Sequence, residues 1–193
     1  MLESLPEELA GLAALPRPVF GHAESVTNRA LGYRHAHPWV QFAHAVAGVL
    51  DVRTDTGRFI APPQRAVWLP AGVAHQVRCS ADTEIRSLYI EPSAVPDVRG
   101  GCRVLAVSPL LRELIRAFGD LPAAYDEHGP GGRLAAVLLD QVAAAPALGL
   151  VLPLPREPRL RRVCEALEAE RDARDGLAAW SVRLGWSART LAR

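Results

Sequence analysis

The chain has 193 residues, 49% of them hydrophobic, and a formal net charge of +1. That is enough apolar material to core one large domain or two modest ones, and it excludes both a disordered chain and a small disulfide-stapled one. No apolar run nears the ~20 residues of a membrane span, and Cys79, Cys102 and Cys164 are odd in number and widely spaced, so the composition points to a soluble, cytoplasmic protein with reduced thiols.

Residues 1–19 carry early acids and no basic segment, so they read as an N-terminal arm and not as an export signal. From residue 20 to 98 the texture is short strands and turns with no sustained helical period. The runs VQFAHAVAGVLDVRT, RFIAPP, AVWLP, AGVAHQVRC and EIRSLYIEP are broken by Asp-Thr-Gly at 55–57, by Pro62, Pro63 and Pro70, and by Ser-Ala-Asp-Thr. Strands at such regular spacing predict an antiparallel barrel or sandwich, with the prolines at its edges and turns. His22 and His128 fall in expected loops and read as solvated surface. Trp68 reads as core. Tyr89 is left open between the inside and the outside of the barrel, because parity without a register fixes neither.

Over residues 99–152 the texture becomes helical. SPLLRELIRAFGDL opens with Ser-Pro, suited to an N-cap and first turn, and Leu110, Leu111, Leu114, Ile115 and Phe118 recur at three and four. GRLAAVLLDQVAAA predicts a second amphipathic helix. The two are expected to pack on the barrel or on a second copy of themselves, which makes a homodimer the expected state. PLPREP at 153–158 reads as a stiff hinge.

Residues 159–193 form a third segment. It predicts a helix over RLRRVCEALEAERDA, a second capped by Asp175 and running through GLAAWSVRLG, a turn at Gly185, and a third capped by Ser187 that begins ARTLAR. Helix, glycine turn and newly capped helix is the layout of a helix-turn-helix. All 22 basic residues of the chain are arginine, whose guanidinium suits phosphates and base edges, and nine of them face six acids over residues 156–193.

Three of the six histidines crowd into HAHPWVQFAH. In a strand, residues i and i+2 share a face, so His35 and His37 can aim at one spot. Pro38 and Trp39 turn the chain, and Gln41 can re-enter from the neighbouring strand. Counting on from Gln41 by twos gives Ala43, Ala45 and Ala47, a row of methyl groups expected to leave the interior hollow, whereas His44 has the opposite parity and points away. PAGVAH at 70–75 supplies a Pro-x-Gly turn and brings His75 to the same cavity. Three neutral imidazoles and a carbonyl oxygen make a donor set for Zn²⁺, Ni²⁺ or Fe²⁺. The same groups could instead line a pocket for an organic effector.

HxH, three residues, Gln, six residues and Gly48, followed by PxGxxH, resembles the two motifs of the cupin superfamily. In that family three histidines and a carboxylate bind a divalent metal in a small β-barrel. Gln41 stands here where metal-binding members carry Glu, and Gln64 where the second motif opens with Gly. Taken with SPLLREL, PLPREPRLRR and LAAWSVRLGWSARTLAR, the chain resembles the AraC family of bacterial transcription regulators over nearly its whole length. The resemblance implies an α+β fold: a cupin-like antiparallel barrel, amphipathic helices and a helix-turn-helix cut inside its reading helix, as in a truncated form of a longer protein. It implies a regulator that senses a metal ion or small molecule in the barrel, with His35, His37, Gln41 and His75 as ligands. DNA would be bound through the C-terminal part in the full-length protein. Carried onto this chain, Ser187 becomes a cap whose amide meets phosphate, and Arg189, Thr190 and Arg193 the positions that reach the major groove. The plain alternative for the arginines is a solvated helix face. The rival class is a metal-dependent cupin enzyme of dioxygenase or isomerase type. Against it stand the missing carboxylate ligand, the lack of a further acid or base beside the histidines, and a helix-turn-helix that no catalyst requires.

Overall fold

The computed structural model describes residues 14–26, 30–80, 82–95, 100–149, 152–153, 155, 157–169, 176–187 and 189. It is an α+β fold built on two antiparallel sheets. The strands are β1 (Val19–Val26), β2 (Ala30–His35), β3 (Val40–Ala47), β4 (Leu50–Thr54), β5 (Gly57–Ala61), β6 (Arg65–Leu69), β7 (His75–Cys79), β8 (Thr83–Ile90) and β9 (Arg103–Ala106). Helices α1 (Pro109–Gly119) and α2 (Pro130–Ala144) follow, then the short strand β10 (Ala147–Leu148). The first sheet runs β1-β8-β3-β6-β9-β10, and the second includes β5-β4-β7-β2 in that order.

Alternation explains the second sheet. In β4, β5 and β7 every other residue is buried, with Leu50, Val52, Phe59, Ala61, Val77 and Cys79 turned inward and Asp51, Arg53, Arg58 and Arg78 turned out. Strand β3 breaks that pattern, being buried on both faces over most of its length. Its even positions Val40 and Phe42, with Trp68 and Leu88, pack under the helices against Leu111, Ile115, Phe118, Leu138 and Val142. Each such side chain withdrawn from water contributes about 1.5–3 kcal/mol. The odd positions Ala43 and Ala45 face the second sheet.

Those alanines do not border a hollow. They are packed among Leu50, Val52, Phe59, Val67, Leu69 and Ile85, so their small size makes room for the large side chains opposite. The long run VQFAHAVAGVLDVRT is two strands in different sheets. It breaks at Gly48, where φ is +78° and an added Cβ would come within 2.3 Å of the Thr83 hydroxyl.

Two boundaries differ from the sequence reading. His22 lies within β1, paired with Ser87 of β8, and not in a loop. The sheet also reaches past residue 98: β9 pairs with β6, for instance Val104 with Val67. Helix α1 begins as its sequence suggests, with the Ser108 hydroxyl accepting from the Leu111 amide at 3.1 Å ahead of Pro109.

The chain divides into two compact units, residues 1–152 and 153–193. In the second, α3 (Pro158–Ala169) is capped by the Glu157 carboxylate, which accepts from the Leu160 amide at 2.9 Å. Helix α4 (Leu177–Leu184) starts after Gly176 and stops at Gly185 in the left-handed conformation, φ +66°. The cap position falls on Gly176, not Asp175, which lies outside the described residues. Among the described residues no helix is long and apolar enough to cross a membrane.

Candidate metal or effector site

Each sheet contributes one half of the site. His35 ends β2 and His75 begins β7, directly paired across the second sheet, with ring centroids 4.3 Å apart. Gln41 belongs to β3 of the first sheet and pairs with Tyr89 of β8. His37 lies in the connection that carries the chain from one sheet to the other, its ring 5.8 Å from His35 and 5.2 Å from His75. Ligand atoms of the three histidines all lie within 4.8 Å of one another, so the three could hold a metal ion. Metal–nitrogen bonds of ~2.1 Å set ligand atoms ~3–4 Å apart, so the rings need to close by only a little.

The turn that delivers His75 is tied to the first motif. The Gly72 amide, in a left-handed turn with φ +75°, donates to the His37 carbonyl at 2.8 Å. Two imidazoles are then oriented alike by backbone carbonyls two residues away. His37 Nδ1–H donates to Trp39 O at 2.9 Å, and His75 Nδ1–H donates to Val73 O at 2.8 Å. With Nδ1 protonated, each neutral ring presents its Nε2 lone pair to the centre, which is how ligating histidines are usually held. His75 Nε2 is buried and makes no hydrogen bond.

Burial keeps these rings neutral. Desolvation lowers the pKa of His37, opposed by its bonds to Gln41 and Trp39. It pushes His75 down to about 3, opposed by the Val73 bond, and a proton on His35 or His37, or the Arg34 charge, lowers it further. Rings that resist protons leave their lone pairs available to a cation.

Gln41 completes the group. Its Oε1 lies 3.2 Å from His37 Nε2, and its Nε2 lies 3.4 Å from the Tyr89 hydroxyl. In this orientation two lone pairs face each other, an arrangement that a shared cation satisfies. With the amide turned over, its NH₂ donates to His37 and the Tyr89 hydroxyl donates to its oxygen. Both orientations keep Tyr89 as partner.

The structure thus brings His35, His37, Gln41 and His75 together. Tyr89, open on parity, faces the site, buried beside His37, Trp39 and Phe20, and its phenol pKa is raised by burial. Trp39 was legible only as a turn residue, yet its ring stacks on His37 at 5.9 Å. His22 is half-buried, 6.5 Å from the Tyr89 ring and bonded to Glu24. No periodicity signalled these, since the register that aligns β1 and β3 on β8 is a long-range property. His44 points away from the site, as its parity requires, into the helix-covered face, with Nε2 3.0 Å from Pro63 O. His128 is exposed in a loop, and Trp68 is core.

In the second unit Ser187 and Arg189 are exposed. Thr190 and Arg193 lie outside the described residues. Trp180 is buried, with the Arg183 guanidinium 5.0 Å over its ring, and Arg159 stands 5.7 Å over Trp186.

The comparisons with known proteins agree on one relationship. Residues 18–139 match the family model of the AraC-like ligand binding domain. The chain is 33% identical over 159 residues to the HTH-type transcriptional regulator NimR of Escherichia coli (strain K12), across 82% of this chain and 58% of that protein. It therefore spans little more than half the length of that relative. Among solved structures it is similar to the AraC-like transcriptional activator CuxR, at 13% identity and TM-score 0.46, covering 91% of this chain and 69% of that one. It is also similar to apo ToxT K231A of Vibrio cholerae, at 7% identity and TM-score 0.48, covering 91% and 73%. At TM-scores below 0.5 neither likeness bears on the ligand. By the match over residues 18–139 and the identity with NimR, the chain belongs to the AraC family, through its ligand-binding domain.

Proposed function

We propose that this chain is the sensory part, with the beginning of the DNA-binding part, of a transcription regulator. Its barrel binds a divalent metal (Zn²⁺, Ni²⁺ or Fe²⁺) or a small-molecule effector at His35, His37, Gln41 and His75, and occupancy controls DNA binding through a C-terminal helix-turn-helix. The observation that carries the reading is the convergence on one centre of His35 and His75 from the second sheet, His37 from the connection and Gln41 from the first sheet, inside a domain of the AraC-like ligand-binding family. DNA contacts are assigned to Ser187, Arg189, Thr190 and Arg193. Helices α1 and α2, with Leu110 and Val137 exposed, are assigned to a homodimer.

A metal held here by His35, His37, His75 and Gln41 would supply Lewis-acid chemistry. This chain's own residues orient it: Trp39 and Val73 carbonyls fix two rings, and Tyr89 fixes the Gln41 amide. An enzyme would also need a general acid or base beside the donors. Tyr89, in contact with Gln41 and His37, has its phenol pushed up by burial, away from the neutral range.

The test is elemental analysis of the purified chain, with thermal unfolding in added Zn²⁺, Ni²⁺ or Fe²⁺. Bound metal and a raised Tm are expected, both lost in His35→Ala and His75→Ala. Variants that keep their metal, or a chain that takes up none, would leave only the organic-effector form of the reading. Turnover of an organic substrate would replace the regulator with the enzyme.

A further inference from the structure

The donor set is unusual in carrying no charge. His35, His37 and His75 form the cluster suited to a metal among the described residues, and no carboxylate joins it. The acids nearby are engaged elsewhere. Glu24 lies 3.3 Å from His22 Nε2, Glu91 accepts from the Leu15 amide at 2.8 Å, and Asp55 is paired with Arg34. We propose that the ligand sensed by the barrel is a small carboxylate anion, bound together with the cation and completing the coordination that His35, His37, His75 and Gln41 begin. This rests on the metal form of the reading above and names its effector class.

The physical reason is charge. Three imidazoles and an amide carbonyl leave a dication's full charge uncompensated at a site where two of the rings are buried, and such a charge is costly until an opposite one approaches. A neutral ligand answers none of this, whereas a carboxylate oxygen brings a negative charge and a hard donor together. A glutamate at position 41 would supply the charge from within and remove the need for an outside anion. Gln41 keeps the geometry of that side chain and leaves the charge to the effector, so the cation and the anion should bind cooperatively.

Co²⁺ and acetate in chloride-free buffer are the probes, read by the visible absorption of the bound ion. The wild-type chain is expected to bind Co²⁺, and acetate to change the spectrum saturably. Gln41→Glu is expected to bind Co²⁺ about tenfold more tightly and acetate about tenfold more weakly, opposite movements that a merely loosened site would not give. A spectrum that acetate leaves unchanged while Co²⁺ stays bound overturns the anion inference and spares the metal reading. Equal acetate affinity in the wild type and Gln41→Glu overturns it too, since charge would then not be what draws the anion. Failure of the wild type to bind Co²⁺ removes the metal reading itself.

Discussion

Acidifying the metal-free protein from pH 7 to pH 5 is expected to cost about 2 kcal/mol of folding stability through His75 alone. Its ring is fully buried, and desolvation foremost lowers its pKa from 6.5 to about 3. In the unfolded chain the ring takes up a proton below pH 6.5, and in the folded chain it does not do so until about pH 3. Between those values the unfolded state binds one proton more, so stability falls as pH falls, by about 1.4 kcal/mol per unit. Above pH 6.5 the residue contributes no pH dependence. About one and a half units separate 6.5 from 5, which gives the figure of about 2 kcal/mol. The assay is urea unfolding at pH 7 and pH 5 with a chelator present, on the wild type and on His75→Gln, which keeps a polar side chain but cannot titrate. His37 and His44, whose pKa values burial also lowers, remain in both proteins, so their share cancels. The wild type should lose about 2 kcal/mol more than the variant. Equal losses would refute the argument, because His75 would then not be held neutral by burial.

Gly48→Ala should destabilise the first unit by at least about 1 kcal/mol in urea unfolding, since φ is +78° there and the new methyl group runs into Thr83. An unchanged midpoint would mean that the β3–β4 turn is not as tight as drawn. Tyr89→Phe removes the hydroxyl that holds the Gln41 amide and should weaken Zn²⁺ affinity about tenfold with little loss of stability, as read by competition with an indicator dye. In a longer protein holding the whole DNA-binding part, Arg189→Ala should lower DNA affinity and reduce the salt dependence of binding by about one ion. A salt dependence equal to wild type would place Arg189 on a solvated face.

What could be read from the chain and what could not divides along sequence distance. The Ser108-Pro109 start, the Leu111/Ile115/Phe118 stripe and the Gly185 stop are set by neighbours within one turn or two, and all three stand where the local pattern puts them. His35 and His37 were legible as a pair by their spacing of two, although β2 ends at His35 and His37 stands in the connection beyond it, and His75 was legible because its turn has a fixed form. The rest of the site depends on pairings across tens of residues. Gln41 meets Tyr89 only through the β3–β8 register, and His22 joins them only because β1 lies on the other side of β8. The alanine row shows the same limit in reverse. Small side chains at 43 and 45 imply space, but whether that space is empty or filled is decided by the opposite sheet, and Phe59 and Leu50 fill it. The inner wall changes character at the end where His35, His37, Gln41 and His75 replace apolar side chains with lone pairs, and an aliphatic substitution among these four would extend the dry core instead of merely deleting a contact.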